Sequence, residues 1–110
     1  MELSEIQNFC KNLLSKVAYP RIGTVIGFQE EIGKLAGIIM DIEIYGKPFD
    51  KKKMEKKCSE VFFGFIDLCN SYDIELDSVS KGRIKEIKGE INKWEKEHSE
   101  ILQEKRKKFN

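Results

Sequence analysis

Two stretches decide the fold, Phe28-Gln-Glu-Glu-Ile-Gly-Lys-Leu-Ala36 and Lys57-Cys-Ser-Glu-Val-Phe-Phe-Gly-Phe-Ile-Asp-Leu-Cys-Asn70. Both carry apolar residues three and four positions apart, the spacing that places side chains on one face of an α-helix. The predicted buried stripe of the first helix consists of Phe28, Ile32, Leu35 and Ile39. The stripe predicted for the second helix consists of Met54, Cys58, Val61, Phe65, Leu68 and Tyr72.

Charged residues border the seam between these two helices. Glu31 and Lys34 lie three residues apart beside the first stripe, and Lys57 and Glu60 do so beside the second. A turn is predicted at Tyr45-Gly-Lys-Pro48, because glycine tolerates positive φ and proline cannot continue a helix. Glu31 and Glu60 are equally far from this turn, and so are Lys34 and Lys57. Residues equally far from the turn share a level in an antiparallel hairpin, so the four side chains are predicted to cluster.

The four charges of this cluster sum to zero. Two carboxylates and two ammonium groups can satisfy each other through i,i+3 neighbours and through diagonal Glu31–Lys57 and Lys34–Glu60 contacts. At least one glutamate–lysine contact is therefore predicted to cross between the helices. Four carboxylates in the same space would instead require a divalent ion.

The two stretches resemble the MazG-like family of all-α nucleoside triphosphate pyrophosphohydrolases. Glu30-Glu31-Ile-Gly-Lys34-Leu-Ala36 looks like the family's "EEvGELA". The segment from Glu60 to Asn70, followed by Asp73-Ile-Glu-Leu76, looks like "DvlwyllrLAn" and its following "gIdL". The resemblance covers residues 20 to 85.

The resemblance implies hydrolysis of a nucleoside triphosphate to a monophosphate and pyrophosphate with Mg²⁺, bound by Glu-Glu-x-x-Glu on one helix and Glu-x-x-Asp on the next. Glu31 and Glu60 occupy two of the family's metal-ligand positions, Glu60 in place of aspartate. Lys34 and Lys57 replace the other two ligands. The resemblance assigns no catalytic residue in this chain. It loosely matches the family's substrate-binding residues with Asn70, Lys81 and Arg83.

Three interpretations remain open on the sequence. The first is a family enzyme with a weak, remodelled or absent metal site, which would need Mg²⁺ if active. The second is a non-catalytic homologue that serves protein association or nucleotide sensing. The third is an unrelated helical adaptor that uses a long last helix. A fold resemblance does not decide among them, because function depends on the site.

Length and composition bound the class of protein. The chain has 110 residues, 35% of them charged, and a formal net charge of +1. Without a strong positive field, nucleic-acid binding and adhesion to an anionic membrane are not expected. No stretch approaches the roughly 20 apolar residues that span a bilayer, and a cytoplasmic location is expected. We expect Cys10, Cys58 and Cys69 to be buried thiols, with metal binding or redox chemistry as the alternative.

The predicted fold is all-α, a single four-helix MazG-like domain over 1–110 with a long C-terminal helix. The predicted helices are 3–18, 22–45, 50–72 and 77–106, with candidate caps at Ser4, Thr24, Asp50 and Asp77 or Ser78. Gly27, Gly33 and Gly37 predict either tight helix packing or room for a substrate.

The last predicted helix carries a narrow apolar stripe at heptad spacing, which favours helix partners. The stripe consists of Ile84, Ile87, Ile91, Trp94, His98 and Ile101. Together with the aromatic surface of Phe62, Phe63 and Phe65, it predicts a homo-oligomer, most simply a two-fold dimer.

Overall fold

The computed structural model describes residues 2–14 and 20–109, apart from the side chains of residues 102, 108 and 109. These residues form four α-helices: α1 Leu3–Leu14, α2 Arg21–Glu43, α3 Lys51–Ser71 and α4 Leu76–Phe109. No strand occurs within the described ranges, so the all-α prediction is confirmed. The predicted end of the first helix, at 15–18, lies outside the described residues.

The chain divides into two compact units. The first is Met1–Leu76, which contains α1, α2, α3 and the first residue of α4. The second is Asp77–Asn110, which contains the remainder of α4.

The turn between α2 and α3 lies where the sequence signals place it. Gly46 has a φ of +67°, the left-handed conformation that glycine adopts without strain. The Asp50 carboxylate accepts a hydrogen bond from the Lys53 backbone N–H at 3.2 Å, which confirms the predicted cap of α3. Phe28 contacts Gly64 while Glu31 reaches Lys57, so positions that rise along α2 fall along α3 and the helices are antiparallel.

The other predicted caps are wrong. Ser4 and Thr24 lie inside α1 and α2, and Thr24 is buried. The residue before α2 is Pro20, which provides no side-chain hydrogen bond. Asp77 and Ser78 lie inside α4, which begins at Leu76.

Both predicted stripes of the hairpin are rotated in the structure. Ile32 and Ile39 of α2 are 42% and 44% exposed, and Glu31 instead points at α3. On α3, Phe65 and Tyr72 are partly exposed. The contact face of α3 includes Lys57 and Gly64, residues that a stripe chosen by hydrophobicity leaves out.

The close approach between α2 and α3 occurs at Gly64. A Cβ there would lie 3.2 Å from Cδ2 of Phe28, so glycine leaves space for the ring. A Cβ at Gly27, Gly33 or Gly37 would meet nothing within 4 Å among the described atoms of this chain. Tight packing against the described residues is therefore not the reason for these three glycines.

The apolar core of the first unit lies between α1, α3 and the start of α4. It consists of Cys10, Ile66, Cys69 and Leu76, with Leu3 and Ile6 packed against it. Burial raises the pKa of the Cys10 and Cys69 thiols, and nearby Asp67 adds to the effect at Cys10. These two thiols are buried as predicted, whereas Cys58 is exposed because it lies outside the contact face of α3.

A buried glutamine joins α1 to the turn between α3 and α4. The Gln7 side chain donates to the Ile74 carbonyl and accepts from the Leu76 N–H at 3.0 Å. The Asn70 amide donates to the Gln7 carbonyl at 3.1 Å. Asp73 in this turn has a φ of +53°, a conformation that aspartate tolerates better than most residues. Gln7 thus satisfies backbone groups that the turn leaves without helical partners.

The second unit is one helix with an internal irregularity. His98 has a φ of −129° and a ψ of 27°, so α4 is kinked there. The Trp94 and His98 rings lie 5.3 Å apart between centroids, and Arg106 pairs with Glu95 at 2.7 Å across the kink. The regular part of α4 therefore ends just before His98.

Replacing Gln7 with glutamate tests this network. A carboxylate can still accept from Leu76, but its second oxygen would face the Ile74 carbonyl oxygen and repel it. We expect Gln7→Glu to lower the free energy of unfolding at pH 7 by about 1–3 kcal/mol, the cost of a buried unmatched polar contact. The loss should shrink at pH 4, where a protonated carboxyl can donate to Ile74.

Urea unfolding of both proteins at the two pH values measures this effect. Glu replacement of the exposed Asn8 on the same helix is the matched control and should cost less than Gln7→Glu. Equal losses for the two variants at both pH values would contradict the role of Gln7.

Candidate functional site

The side chains of Glu31, Lys34, Lys57 and Glu60 lie together, as predicted. The Lys57 ammonium lies 2.6 Å from Oε2 of Glu60 and 3.2 Å from Oε2 of Glu31. Lys34 lies 3.6 Å from the other carboxylate oxygen of Glu31. The Glu31–Lys57 contact crosses between α2 and α3, which confirms the predicted crossing contact.

One predicted contact is missing from the cluster. Lys34 and Glu60 do not form an ion pair within 4.0 Å in the described part of the chain. The reason is the rotation of the helices, which aims Lys57 into the seam and leaves Lys34 at its edge. The side chain of Lys57 is 16% exposed and that of Lys34 is 60% exposed.

Lys57 and Glu60 stabilise each other's charged form. The hydrogen bond to Glu60 is the main cause that raises the pKa of Lys57, and Glu31 adds to it while burial opposes it. The hydrogen bond from Lys57 is the main cause that lowers the pKa of Glu60. Both groups therefore keep their charges over a wide pH range.

The pKa directions fix how this pair contributes to stability. A carboxylate whose pKa is lowered in the folded state stabilises the protein at pH values above its ordinary pKa of 4.5. It loses that contribution as the pH falls below this value. An ammonium whose pKa is raised in the folded state contributes fully to stability at pH values below its ordinary pKa of 10.5. It loses that contribution as the pH rises further. The stabilisation should be greatest between these values.

The residues present do not fit a resident Mg²⁺. Magnesium requires about six oxygen ligands at ~2.0–2.1 Å in octahedral geometry. Glu31 and Glu60 converge on one point, but the Lys57 ammonium fills it and Lys34 adds a second positive charge. Within residues 2–14 and 20–109, no group of three or more His, Cys, Asp or Glu side chains is placed to hold a metal.

Asn70 lies about ten residues beyond Glu60 on α3, hence roughly 15 Å along the helix axis. It lines a groove of about 400 Å³ between α1 and the α3–α4 turn. Lys11 also lines this groove and pairs with Asp73 at 3.6 Å. The volume is in the usual range for a ligand pocket, but the Asn70 amide already donates to Gln7.

The other two predicted substrate-binding residues lie in the second unit. Lys81 pairs with Asp77 at 3.0 Å, and Arg83 pairs with Glu86 at 2.9 Å and with Glu90 at 3.5 Å. The hydrogen bond to Glu86 is the main cause that raises the pKa of Arg83. Both cations therefore have carboxylate partners on their own helix.

Two residues that shape these regions have roles that the sequence did not indicate. Gln7 lies between Leu3, Ile6 and Cys10 on the inward face of α1, so a polar residue within an apolar stripe was the available signal. Gly64 forms the surface on which Phe28 packs one turn from Glu60. Its signal was a glycine at helical spacing from Lys57 and Glu60.

No protein-family model, curated protein or solved structure matches this chain. The MazG-like resemblance therefore remains an interpretation of short motifs. None of the described helices combines the length and apolar character needed to cross a membrane.

Replacing Lys57 with methionine tests the ion cluster. The side chain keeps its approximate length but loses its charge, which leaves Glu31 and Glu60 facing each other. We expect Lys57→Met to lower Tm at pH 7, because the two carboxylates then repel. The difference in Tm from the unmodified protein should narrow as the pH falls below 4.5 and the carboxylates become protonated, and as the pH rises beyond 10.5 and through the raised pKa of Lys57.

Thermal unfolding monitored by circular dichroism across this pH range provides the measurement. Lys34→Met removes the same charge from the exposed edge and is the matched control, with a smaller expected effect. A Tm difference for Lys57→Met that stayed constant from pH 3 to pH 11 would show that packing rather than charge holds the seam.

Proposed function

We propose that the chain is a divergent MazG-like helical protein in which the Lys57 ammonium occupies the place of a magnesium ion. In this proposal it is a non-catalytic homologue that serves protein association or nucleotide sensing. The observation that carries the proposal is the position of Lys57 Nζ, within 3.2 Å of carboxylates from both helices.

Charge provides the physical argument for this replacement. A divalent ion in a carboxylate cluster offsets repulsion between the acids and activates water for hydrolysis. An ammonium offsets the repulsion but activates no water, because it is a hydrogen-bond donor without the open coordination position through which a metal ion acidifies water. The seam can thus keep the architecture of such a site without its chemistry.

The alternative is a weak Mg²⁺-dependent nucleoside triphosphate pyrophosphohydrolase. The convergence of Glu31 and Glu60 on one point favours it, since two carboxylates can bind a metal that arrives with the substrate phosphates. Lys57 would have to leave that point first. Asn70, Lys81 and Arg83 remain proposed substrate contacts in this alternative.

We also propose that the chain forms a homo-oligomer, most simply a two-fold dimer in the cytoplasm. Phe62, Phe63 and Phe65 are each 40–46% exposed in the single chain, and Ile66 is the one fully buried large side chain among the described residues. A partner would cover apolar surface that the chain leaves in water. The free thiols of Cys10 and Cys69 suit a reducing compartment.

Converting both lysines to glutamate should restore a metal site. We expect the unmodified protein to show little Mg²⁺ binding and Lys34→Glu/Lys57→Glu to bind it with millimolar or tighter affinity. The double variant should be less stable without metal and should regain stability as Mg²⁺ is added. Calorimetric titration and thermal unfolding measure the two effects.

Lys52→Glu/Lys53→Glu makes the same change in charge outside the seam and is the matched control. Pyrophosphate release from a panel of triphosphates, with Mg²⁺ and Mn²⁺, tests the alternative in the same proteins. Tight Mg²⁺ binding or hydrolysis by the unmodified chain would reject the non-catalytic proposal in favour of the enzyme.

A further inference from the structure

We propose that the regular part of α4, residues 77–97, pairs antiparallel with the same segment of a second copy of this chain. The inference rests on the homo-oligomer part of the proposed function and is independent of the MazG-like resemblance. The occupant of the α4 surface is thus a second copy, in one defined orientation.

The apolar stripe of α4 supplies the contact surface. Ile84, Ile87, Ile91 and Trp94 follow one another at steps of three and four residues and are 53%, 37%, 52% and 47% exposed. The residues between them are almost all charged or polar. A narrow stripe of this kind is the seam of a two-helix coiled coil, in which the residues at its two core positions interlock with the partner helix.

The charges beside the stripe select the orientation. We place Ile84 and Ile91 at heptad position a, the first core position, and Ile87 and Trp94 at position d, the second core position. The two flanks of the stripe are then position e, directly after d, and position g, directly before a. The flank that follows the second core position carries Lys81, Lys88 and Glu95. The flank that precedes the first core position carries Arg83, Glu90 and Glu97.

A parallel pair would bring like charges together. In that orientation, each residue of one flank meets the residue five positions later on the opposite flank of the partner. Arg83 would meet Lys88 of the second copy, and Glu90 would meet Glu95 of the second copy. Each contact occurs twice by symmetry, so all four are repulsive.

An antiparallel pair centred near Gly89 reverses most of these contacts. Ile84 packs opposite Trp94 of the second copy and Ile87 opposite its Ile91, which gives four apolar layers before the kink at His98. Each flank then meets the same flank of the partner. Lys81 meets Glu95 and Arg83 meets Glu97, and each contact again occurs twice.

Two unfavourable self-contacts remain at the centre of the antiparallel pair. Lys88 meets Lys88 of the second copy, and Glu90 meets Glu90. Arg83 already lies 3.5 Å from Glu90 on its own helix and reduces the second repulsion. The proposed contacts would replace or share pairs that Arg83, Lys81 and Glu95 now make with Glu86, Asp77 and Arg106. These pairs are solvent-exposed, so exchanging them for contacts with a partner costs little.

Glu95→Lys distinguishes the orientations, because it should raise the dimer Kd of an antiparallel pair and lower that of a parallel pair. In the antiparallel pair, Lys81 would face a new lysine twice, and we expect the dimer Kd to rise by about tenfold at low salt. In a parallel pair, Glu90 would gain a lysine partner and the dimer would tighten. Lys81→Glu/Glu95→Lys should return the antiparallel dimer to near its original Kd.

Sedimentation equilibrium of the full chain gives Kd, with circular dichroism to show that each variant is helical. Glu100→Lys is the matched control, since it makes the same change in charge on α4 away from both flanks. Tightening by Glu95→Lys, or a Kd equal to that of Glu100→Lys, would overturn the antiparallel pairing but leave a dimer. An unmodified chain that stays monomeric at micromolar concentration would overturn the homo-oligomer as well.

Discussion

The contact of one lysine with carboxylates from two helices sets the geometry of the α2–α3 pair. A glutamate that points into a helix interface loses hydration, and a nearby positive charge must compensate for that loss. Lys57 provides it for Glu31 and Glu60 together. Because an α-helix is rigid, aiming Glu31 at α3 turns the neighbouring Ile32 away from it. The exposure of that isoleucine, 42%, is thus a consequence of the ion cluster rather than a separate feature.

This rotation explains why the chain buries so little of its apolar surface. The side chains that α2 and α3 turn toward each other include charged residues and Gly64, while Phe62, Phe63 and Ile39 remain in contact with water. The fully developed core lies elsewhere, around Ile66. In the proposed homo-oligomer, a partner would bury apolar surface that a single chain leaves exposed.

Helices, turns and the charge cluster could be predicted because each depends on local spacing. Gly46 marked the α2–α3 turn, and symmetry about that turn placed Glu31, Lys34, Lys57 and Glu60 together. The rotation of the helices could not be predicted from hydrophobicity, because the apolar residues of α3 cover more than one face and Gly64 contributes by being small. Gln7 was missed for a related reason. Its partners, Ile74 and Leu76, are backbone groups almost seventy residues away, and backbone groups leave no signature in a sequence.

The α2–α3 ion cluster and the proposed α4 dimer depend on different charged residues and place different demands on them. At the seam, a cation offsets the repulsion between two carboxylates best where water and competing ions are kept away. The side chain of Lys57 is accordingly largely buried, whereas that of Lys34 is exposed. Along α4, exposed charges contribute little to the stability of one chain, yet in the proposed dimer their order decides which orientation has fewer repulsive contacts. A near-neutral chain can therefore be specific in both places, because the arrangement of its charges rather than their total selects the contacts.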